Sequence, residues 1–239
     1  MAPTADFPPI RACIFDMDGL LINSEDIITL SINELLQSYR KPPLPRSLRA
    51  QMMGVPNSSN SDLFHNWAQL PTSRVDWAHT SREEIYANFT RCEPLPGAMD
   101  ILSQLSNAAN VNGEPIELAL ASTTKTHSYH IKTSRTETKQ LMEYFKPERR
   151  ILGDDERIPA GRGKPAPDIY LLALEVINAS WTSGSDAITP KECLVFGDSA
   201  AGVEAARRAG MRVIWVPHAD LAAYFQGRKE EILAGRLEA

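Results

Sequence analysis

The stretch CIFDMDGLLINSE, residues 13–25, decides how this chain is read. Its apolar run ends in two aspartates, Asp16 and Asp18, one residue apart, and Gly19 follows at once. A short apolar segment stopped by a turn signal reads as a buried strand. Residues 10–15 (IRACIF) are therefore expected to cross the core and carry both carboxylates to its edge. Side chains alternate along a straight strand, but twist at the strand end and the freedom of Gly19 can aim both inward.

Working outward, residues 25–39 place Ile28, Ile32, Leu35, Leu36 and Tyr39 on one helical stripe, with Glu25 and Asp26 in the first turn. KPPLP at 41–45 breaks that helix, and residues 46–92 read as helical and irregular with little strand character. After Pro94, Pro96 and Gly97 the helix AMDILSQL begins, and then the texture changes. Strands are expected at 116–122, 149–154, 192–198 and 211–217, with helices at 168–178 and 200–209, the latter closed by Gly210. Strands alternating with helices imply right-handed crossovers and a parallel sheet. The expected architecture is α/β: a three-layer Rossmann-like core formed by residues 1–21 and 94–239, and an inserted helical cap of residues 22–93.

Composition sets the class. The 239 residues, 43% hydrophobic and 23% charged, suit one full-sized core with a smaller accessory domain. A formal net charge of −5 argues against a nucleic-acid surface. No run approaches the ~20 apolar residues that span a bilayer. The start, MAPTADFPPI, lacks the basic and apolar regions of a signal peptide. Cys13, Cys92 and Cys193 are odd in number and widely spaced, which suggests neither a disulfide framework nor a zinc site. A cytoplasmic protein is expected, acting on a small molecule with no nucleic-acid or membrane partner, as a monomer or at most a dimer.

In a parallel sheet, ligands sit beyond the carboxyl ends of the strands, where Asp16, Asp18, Ser122 and Asp198 all fall. Like charges at about 4 Å repel by roughly 4 kcal/mol per pair at an effective dielectric near 20. A divalent cation removes that cost, and an all-oxygen ligand set points to Mg²⁺ rather than zinc. Lys164 in GKPAPD, with Ser122, Thr123 and Thr124, adds the cation and donors of a phosphate pocket.

Together these residues resemble the haloacid dehalogenase superfamily, in the phosphatase branch with a helical cap after the first strand. FDMDG matches its first motif, LALAST the second, GKPAPDIY the third and FGDSAAGVEAARRAGM the fourth, in order from about residue 10 to 217. KTSR, LGDD, GKPAPDIYLLAL and GVEAARRAGM look like the pseudouridine-5'-phosphatase and 2-deoxyglucose-6-phosphatase group, beside the β-phosphoglucomutase-like phosphatases. The resemblance implies that Asp16 attacks phosphorus to form an aspartyl-phosphate, while Asp18 gives a proton to the leaving oxygen and later takes one from water. It implies Mg²⁺ on the Asp16 carboxylate, the Asp18 backbone carbonyl and Asp198, with Ser122, Thr123 and Lys164 at the phosphoryl oxygens. The chain departs from the pattern at Gly197 and Gly202, where relatives often carry acidic residues, and at Asn23, where aspartate is common.

Substrate choice is expected to lie in the cap loop MMGVPNSSNS (52–61), with Gly54, Val55 and Asn57 near the leaving group and Arg82 as a cap cation within reach. Related sugar-phosphate mutases place an arginine at about Asn57, so its absence favours hydrolysis. The expected function is Mg²⁺-dependent hydrolysis of a small phosphomonoester, a nucleoside 5'-monophosphate such as pseudouridine 5'-phosphate or a sugar phosphate. Alternatives are a phosphatase of isoprenoid or other specialised phosphates, suggested by Met52, Met53 and Val55, a phosphomutase, and a non-catalytic phosphate-binding regulator. A dehalogenase is disfavoured, because that reaction has no use for Asp18. Other motifs fail: STTK lacks the companions of a serine acyl enzyme, and GRGKP lacks Walker spacing. His127 and His130 fit a surface helix better than a metal pair, and Trp67 and Trp77 fit the small core of the cap.

Overall fold

In the computed structural model the described residues are 7–52, 57–180 and 186–235, with the side chains of 57–61 left aside. The apolar run before Asp16 forms β1 (Ala12–Phe15), buried throughout. Ala12 and Ile14 face one apolar cluster while Cys13 and Phe15 face another, so this strand is covered on both sides. That double burial is why its sequence is uniformly apolar rather than alternating. Four further strands complete a parallel sheet with it: β2 (Glu117–Ala121), β3 (Arg150–Ile151), β4 (Cys193–Gly197) and β5 (Arg212–Trp215), in the order β3-β2-β1-β4-β5. The α/β class, the parallel sheet and the expected strands are all present. Phe15 is in register with Leu120 and with Phe196, so Asp16, Ser122 and Asp198 leave the sheet at one edge.

Helices complete three layers. Helices α5 (Ala98–Ser106), α6 (Thr126–Lys132) and α7 (Thr136–Met142) contribute Leu102, Tyr129, Leu141 and Met142 to the cluster around Phe15. On the opposite face α8 (Asp168–Ala179) and α9 (Ala200–Arg208) contribute Ile169, Tyr170, Ala173, Ile177 and Ala206. Gly210 closes α9 as expected, at φ 74°, with Met211 N donating to Ala206 O at 3.0 Å. The strand expected over 149–154 is cut to two residues. After Ile151 the backbone turns in at Gly153, whose amide donates to Thr124 O at 2.9 Å.

Between β1 and β2 lie α1 (Ser24–Ser38), α2 (Arg46–Met52), α3 (Asn57–Ala68) and α4 (Arg74–Asn88). The two ends of this insertion are clasped: Asn23 N donates to Glu93 O at 3.1 Å and Leu95 N to Leu21 O at 2.9 Å. Leu36, Leu44, Leu48, Phe64, Ala68 and Trp77 form a separate apolar cluster, in which the Phe64 and Trp77 rings stack with centroids 5.1 Å apart. Trp67 packs at its margin, so both tryptophans serve this small core. Two expectations need correction. Residues 57–61 begin α3 rather than continuing a loop, because burial of Phe64 and Ala68 two turns on outweighs the turn preference of the Asn/Ser run. The apolar stripe of α1 is not wholly spent on the core: Ile28 and Ile32 border a cavity, while Ile27, Ser31 and Leu36 are the buried positions.

Leu36, fully buried at the centre of the inserted cluster, gives a test of its contribution. Leu36→Ala is expected to lower the unfolding free energy by about 2–5 kcal/mol, read by urea denaturation.

Candidate active site

The site is built at the carboxyl ends of β1, β2 and β4. Asp16 is 6% exposed and Asp198 7%, so two carboxylates are buried side by side. Backbone bonding fixes the pairing, since Asp16 N donates to Phe196 O at 2.9 Å. Gly19, at φ 68°, turns the chain back so closely that an added Cβ would lie 2.4 Å from Asp198 Oδ2. Only glycine accepts both that φ and that approach.

Lys164 is the countercharge for Asp16. Its Nζ donates to Asp16 Oδ2 at 2.5 Å and to Ala121 O at 3.1 Å, and it stands 4.9 Å from the centroid of the Tyr170 ring. Burial alone would lower the lysine's pKa, but the Asp16 charge outweighs it and holds the ammonium firmly protonated. Asp198 forms no ion pair with a cation among the described residues. Burial, then the charges of Asp16 and Glu25, hold its carboxyl well above the usual range.

Ser122, fully buried, donates from Oγ to Asp18 Oδ2 at 3.2 Å and accepts the Thr124 amide at 3.1 Å. Thr123 is exposed and lines the cavity beside Lys164. An added Cβ on Gly153 would lie 2.1 Å from Thr123 O, so the turn after β3 supports this loop from behind.

Sequence reasoning assigned no role to two charged groups here. Lys132, quoted only as part of KTSR, is buried, and its Nζ donates to Asp18 Oδ1 at 2.6 Å. Burial would raise the Asp18 carboxyl, but the Lys132 charge and the hydrogen bonds from Lys132 and Thr124 hold it below its ordinary value. Glu25, read only as an acidic residue of a first turn, approaches the same place as Asp198. Burial, then the Asp18 charge, push it up to about 7. Glu25 thus brings a carboxylate from α1 close to Asp198, where Gly197 and Gly202 offer none. Neither residue was recognisable by spacing, because each is brought in by a helix that packs only in the folded chain. Asn23 also has a different use from a site ligand: its Oδ1 accepts the Glu93 amide at 2.9 Å and helps clasp the insertion.

The donor chemistry fits Mg²⁺. The expected ligands are the carboxylates of Asp16 and Asp198 and the carbonyl of Asp18, to which no backbone amide donates among the described residues. Two side chains and a carbonyl do not make a set of three acidic or His/Cys side chains, and no such set occurs among the described residues. The surplus negative charge around Asp198, left over after Lys164 pairs with Asp16, is what a hard cation would neutralise.

A cavity of about 810 Å³ opens over these groups. Asp16, Lys164, Thr123 and Lys132 lie at its floor, and Ile28, Ile32, Phe64, Trp77, Ile85 and Tyr86 supply apolar wall. Arg82 lines it too, exposed and without an ion pair to any described residue. Gly54 and Val55 lie outside the described residues. Asn57 marks the start of α3 and its side chain is likewise outside them. His127 and His130 are exposed on α6.

A parallel α/β sheet with clustered carboxylates and a buried lysine at its carboxyl edge defines a Rossmann-like hydrolase. Residues 10–210 match the profile of the haloacid dehalogenase-like hydrolases. The chain belongs to that family, and it is an enzyme of the phosphatase kind. It is 35% identical to a Saccharomyces cerevisiae protein provisionally named pseudouridine-5'-phosphatase, over 96% of this chain and 91% of that one. It is 32% identical to the mitochondrial (DL)-glycerol-3-phosphatase 1 of Arabidopsis thaliana, over 96% of this chain and 71% of that one. Among solved structures, a Thermotoga maritima protein provisionally named β-phosphoglucomutase superposes with a TM-score of 0.63 at 29% identity, covering 95% of this chain and 98% of that one. No helix of the described residues is long and apolar enough to cross a membrane.

Gly19→Ala should force Asp198 aside. Displacements of about 1 Å can cost ~10²-fold in rate, and a loss of that order in kcat/KM for p-nitrophenyl phosphate is expected, with circular dichroism showing an intact fold.

Proposed function

We propose that this protein is a Mg²⁺-dependent phosphatase that hydrolyses a small phosphomonoester through an aspartyl-phosphate on Asp16. The observation that carries the reading is the Asp16–Lys164 pair, buried beside Asp198 on the floor of a cavity large enough for a metabolite. Mg²⁺ would be held by Asp16, Asp198 and the Asp18 carbonyl, where it would offset charge on the transferring phosphoryl group. Asp16 supplies the nucleophilic oxygen. Lys164 keeps that carboxylate aligned and, with Thr123 and with Ser122 once its hydroxyl turns from Asp18, meets the phosphoryl oxygens. Asp18, ionised in this structure, takes a proton from the substrate's phosphate monoanion and passes it to the leaving oxygen, then takes the proton of the water that cleaves the acyl-phosphate. The insertion of residues 22–93 serves as a cap that excludes bulk water over the cavity.

A nucleoside 5'-monophosphate such as pseudouridine 5'-phosphate, or a sugar phosphate, leads among substrates. The relatives named for pseudouridine-5'-phosphatase and glycerol-3-phosphatase support a small phosphorylated metabolite. Arg82 would select for polar groups on the leaving side, and Gly54, Val55 and Asn57 remain proposed specificity residues near the leaving group. A second reading, a phosphate ester of an apolar specialised metabolite, is favoured by the wall of Ile28, Ile32, Phe64, Trp77 and Ile85. We place the protein in the cytoplasm as a monomer, with no nucleic-acid or membrane partner.

A phosphate-release screen over nucleotides, sugar phosphates and prenyl phosphates separates these substrates. Asp16→Asn is expected to abolish release and the acid-stable trapping of phosphoenzyme while the melting transition persists. Ordinary turnover in that variant would exclude Asp16 as nucleophile. EDTA should silence the wild type and Mg²⁺ restore it; undiminished activity after chelation would contradict the metal assignment.

A further inference from the structure

Lys132 has no task in the phosphatase scheme above, yet it is buried against the scheme's proton carrier. Its Nζ donates to Asp18 Oδ1 at 2.6 Å and to Thr124 Oγ1 at 2.9 Å, and lies 4.4 Å from the centroid of the Phe89 ring. Thr124 Oγ1 closes the triangle by donating to Asp18 Oδ2 at 2.6 Å, and Ser122 Oγ reaches the same oxygen at 3.2 Å. The hydroxyl of Thr124 thus accepts from the ammonium and donates to the carboxylate, which uses its single proton correctly. Both Asp18 oxygens are held, one by an ammonium and one by two hydroxyls.

We propose that Lys132 is a positioning residue for Asp18: it fixes the direction of the carboxylate that exchanges a proton with the leaving oxygen and with water. This rests on the phosphatase reading and adds to it a division of labour between two buried lysines. Lys164 is committed to Asp16 and to the Ala121 carbonyl, so it cannot also orient Asp18. Without Lys132 the Asp18 charge would face Glu25 with no cation of its own among the described residues. Oδ2 would keep its two hydroxyl donors, but Oδ1 would lose the ammonium that fixes the other end of the carboxylate. Lys132 comes from the last turn of α6, and Phe89 from the 3-10 turn 89–91 that ends the helical insertion. The ammonium is therefore held between the core and the end of the insertion. Three donors on a compact head suit one oxygen, one hydroxyl and one ring face, a set that a planar guanidinium would not match.

Leaving-group dependence separates this role from two others. A lysine that bound the phosphoryl group would matter equally for every phosphomonoester. One that only held the fold together would do the same. A residue acting through the proton carrier matters where the leaving oxygen needs a proton, and little where it departs as a stable phenolate.

The test compares kcat/KM, which reports the first chemical step, for p-nitrophenyl phosphate and β-glycerophosphate, using the full chain with Mg²⁺. Positioned general acid–base groups contribute about 10²–10⁴-fold, so Lys132→Met is expected to lose that much on β-glycerophosphate and less than about 10-fold on p-nitrophenyl phosphate. Asp18→Asn should show the same asymmetry, and Lys132→Met should add nothing further in that background. Equal losses on both esters, an additive loss in the Asp18→Asn background, or no loss at all would each overturn the proposal. If Lys132→Met lacks a cooperative melt, Thr124→Val is read by the same comparison, since it removes a donor to the same carboxylate without changing charge. A wild type that hydrolyses neither these esters nor any other phosphomonoester would overturn the phosphatase reading itself.

Discussion

The arrangement of this protein depends on one electrostatic constraint: Asp16 and Asp198, buried, and Asp18 and Glu25, half-buried, gather at the carboxyl edge of a parallel sheet. Such a cluster is unstable unless cations divide it. Lys164 pairs with Asp16 and Lys132 with Asp18, each at hydrogen-bond distance. Asp198 and Glu25 have raised carboxyl pKa values, because burial and then neighbouring carboxylates disfavour their charged forms. Replacing either lysine by an apolar residue would leave a buried charge unpaired, a change that typically costs 3–5 kcal/mol.

The sheet makes this crowding possible. Because β1, β2 and β4 are parallel and adjacent, the residues after their last core positions emerge together. The two apolar layers around β1 keep the strand tips rigid, so the carboxylates cannot relieve repulsion by moving apart. Close backbone approaches at Gly19 and Gly153 hold the loops in the same narrow space.

The inserted helices give the site its outer half. Their own apolar cluster lets them keep shape without merging into the main core, and the clasp between residues 21–23 and 93–95 ties them to the sheet edge. Arg49 on α2 links the insertion to the core through Asp220 at 2.9 Å and holds α1 through Asp26 at 2.6 Å. Ile28 and Ile32 of α1 and Ile85 and Tyr86 of α4 border the cavity and form a wall whose chemistry differs sharply from the charged floor.

Much of this was legible in the chain itself. The period and length of the apolar runs, the aspartates at strand ends and the glycine after Asp18 determined the α/β class, the parallel sheet and the grouping of Asp16, Ser122, Lys164 and Asp198. Those signals are local: each needs only neighbouring residues and the rule that parallel strands end together. The tertiary structure alone decided the rest. Lys132 and Glu25 entered the site from helices whose orientation depends on packing, and Asn23 was drawn to the clasp with Glu93 rather than to the carboxylates. The helical start of α3 was likewise set by burial of Phe64 and Ala68 against Trp77. Such contacts join residues far apart in sequence through side-chain packing, and no local period encodes which of them will touch.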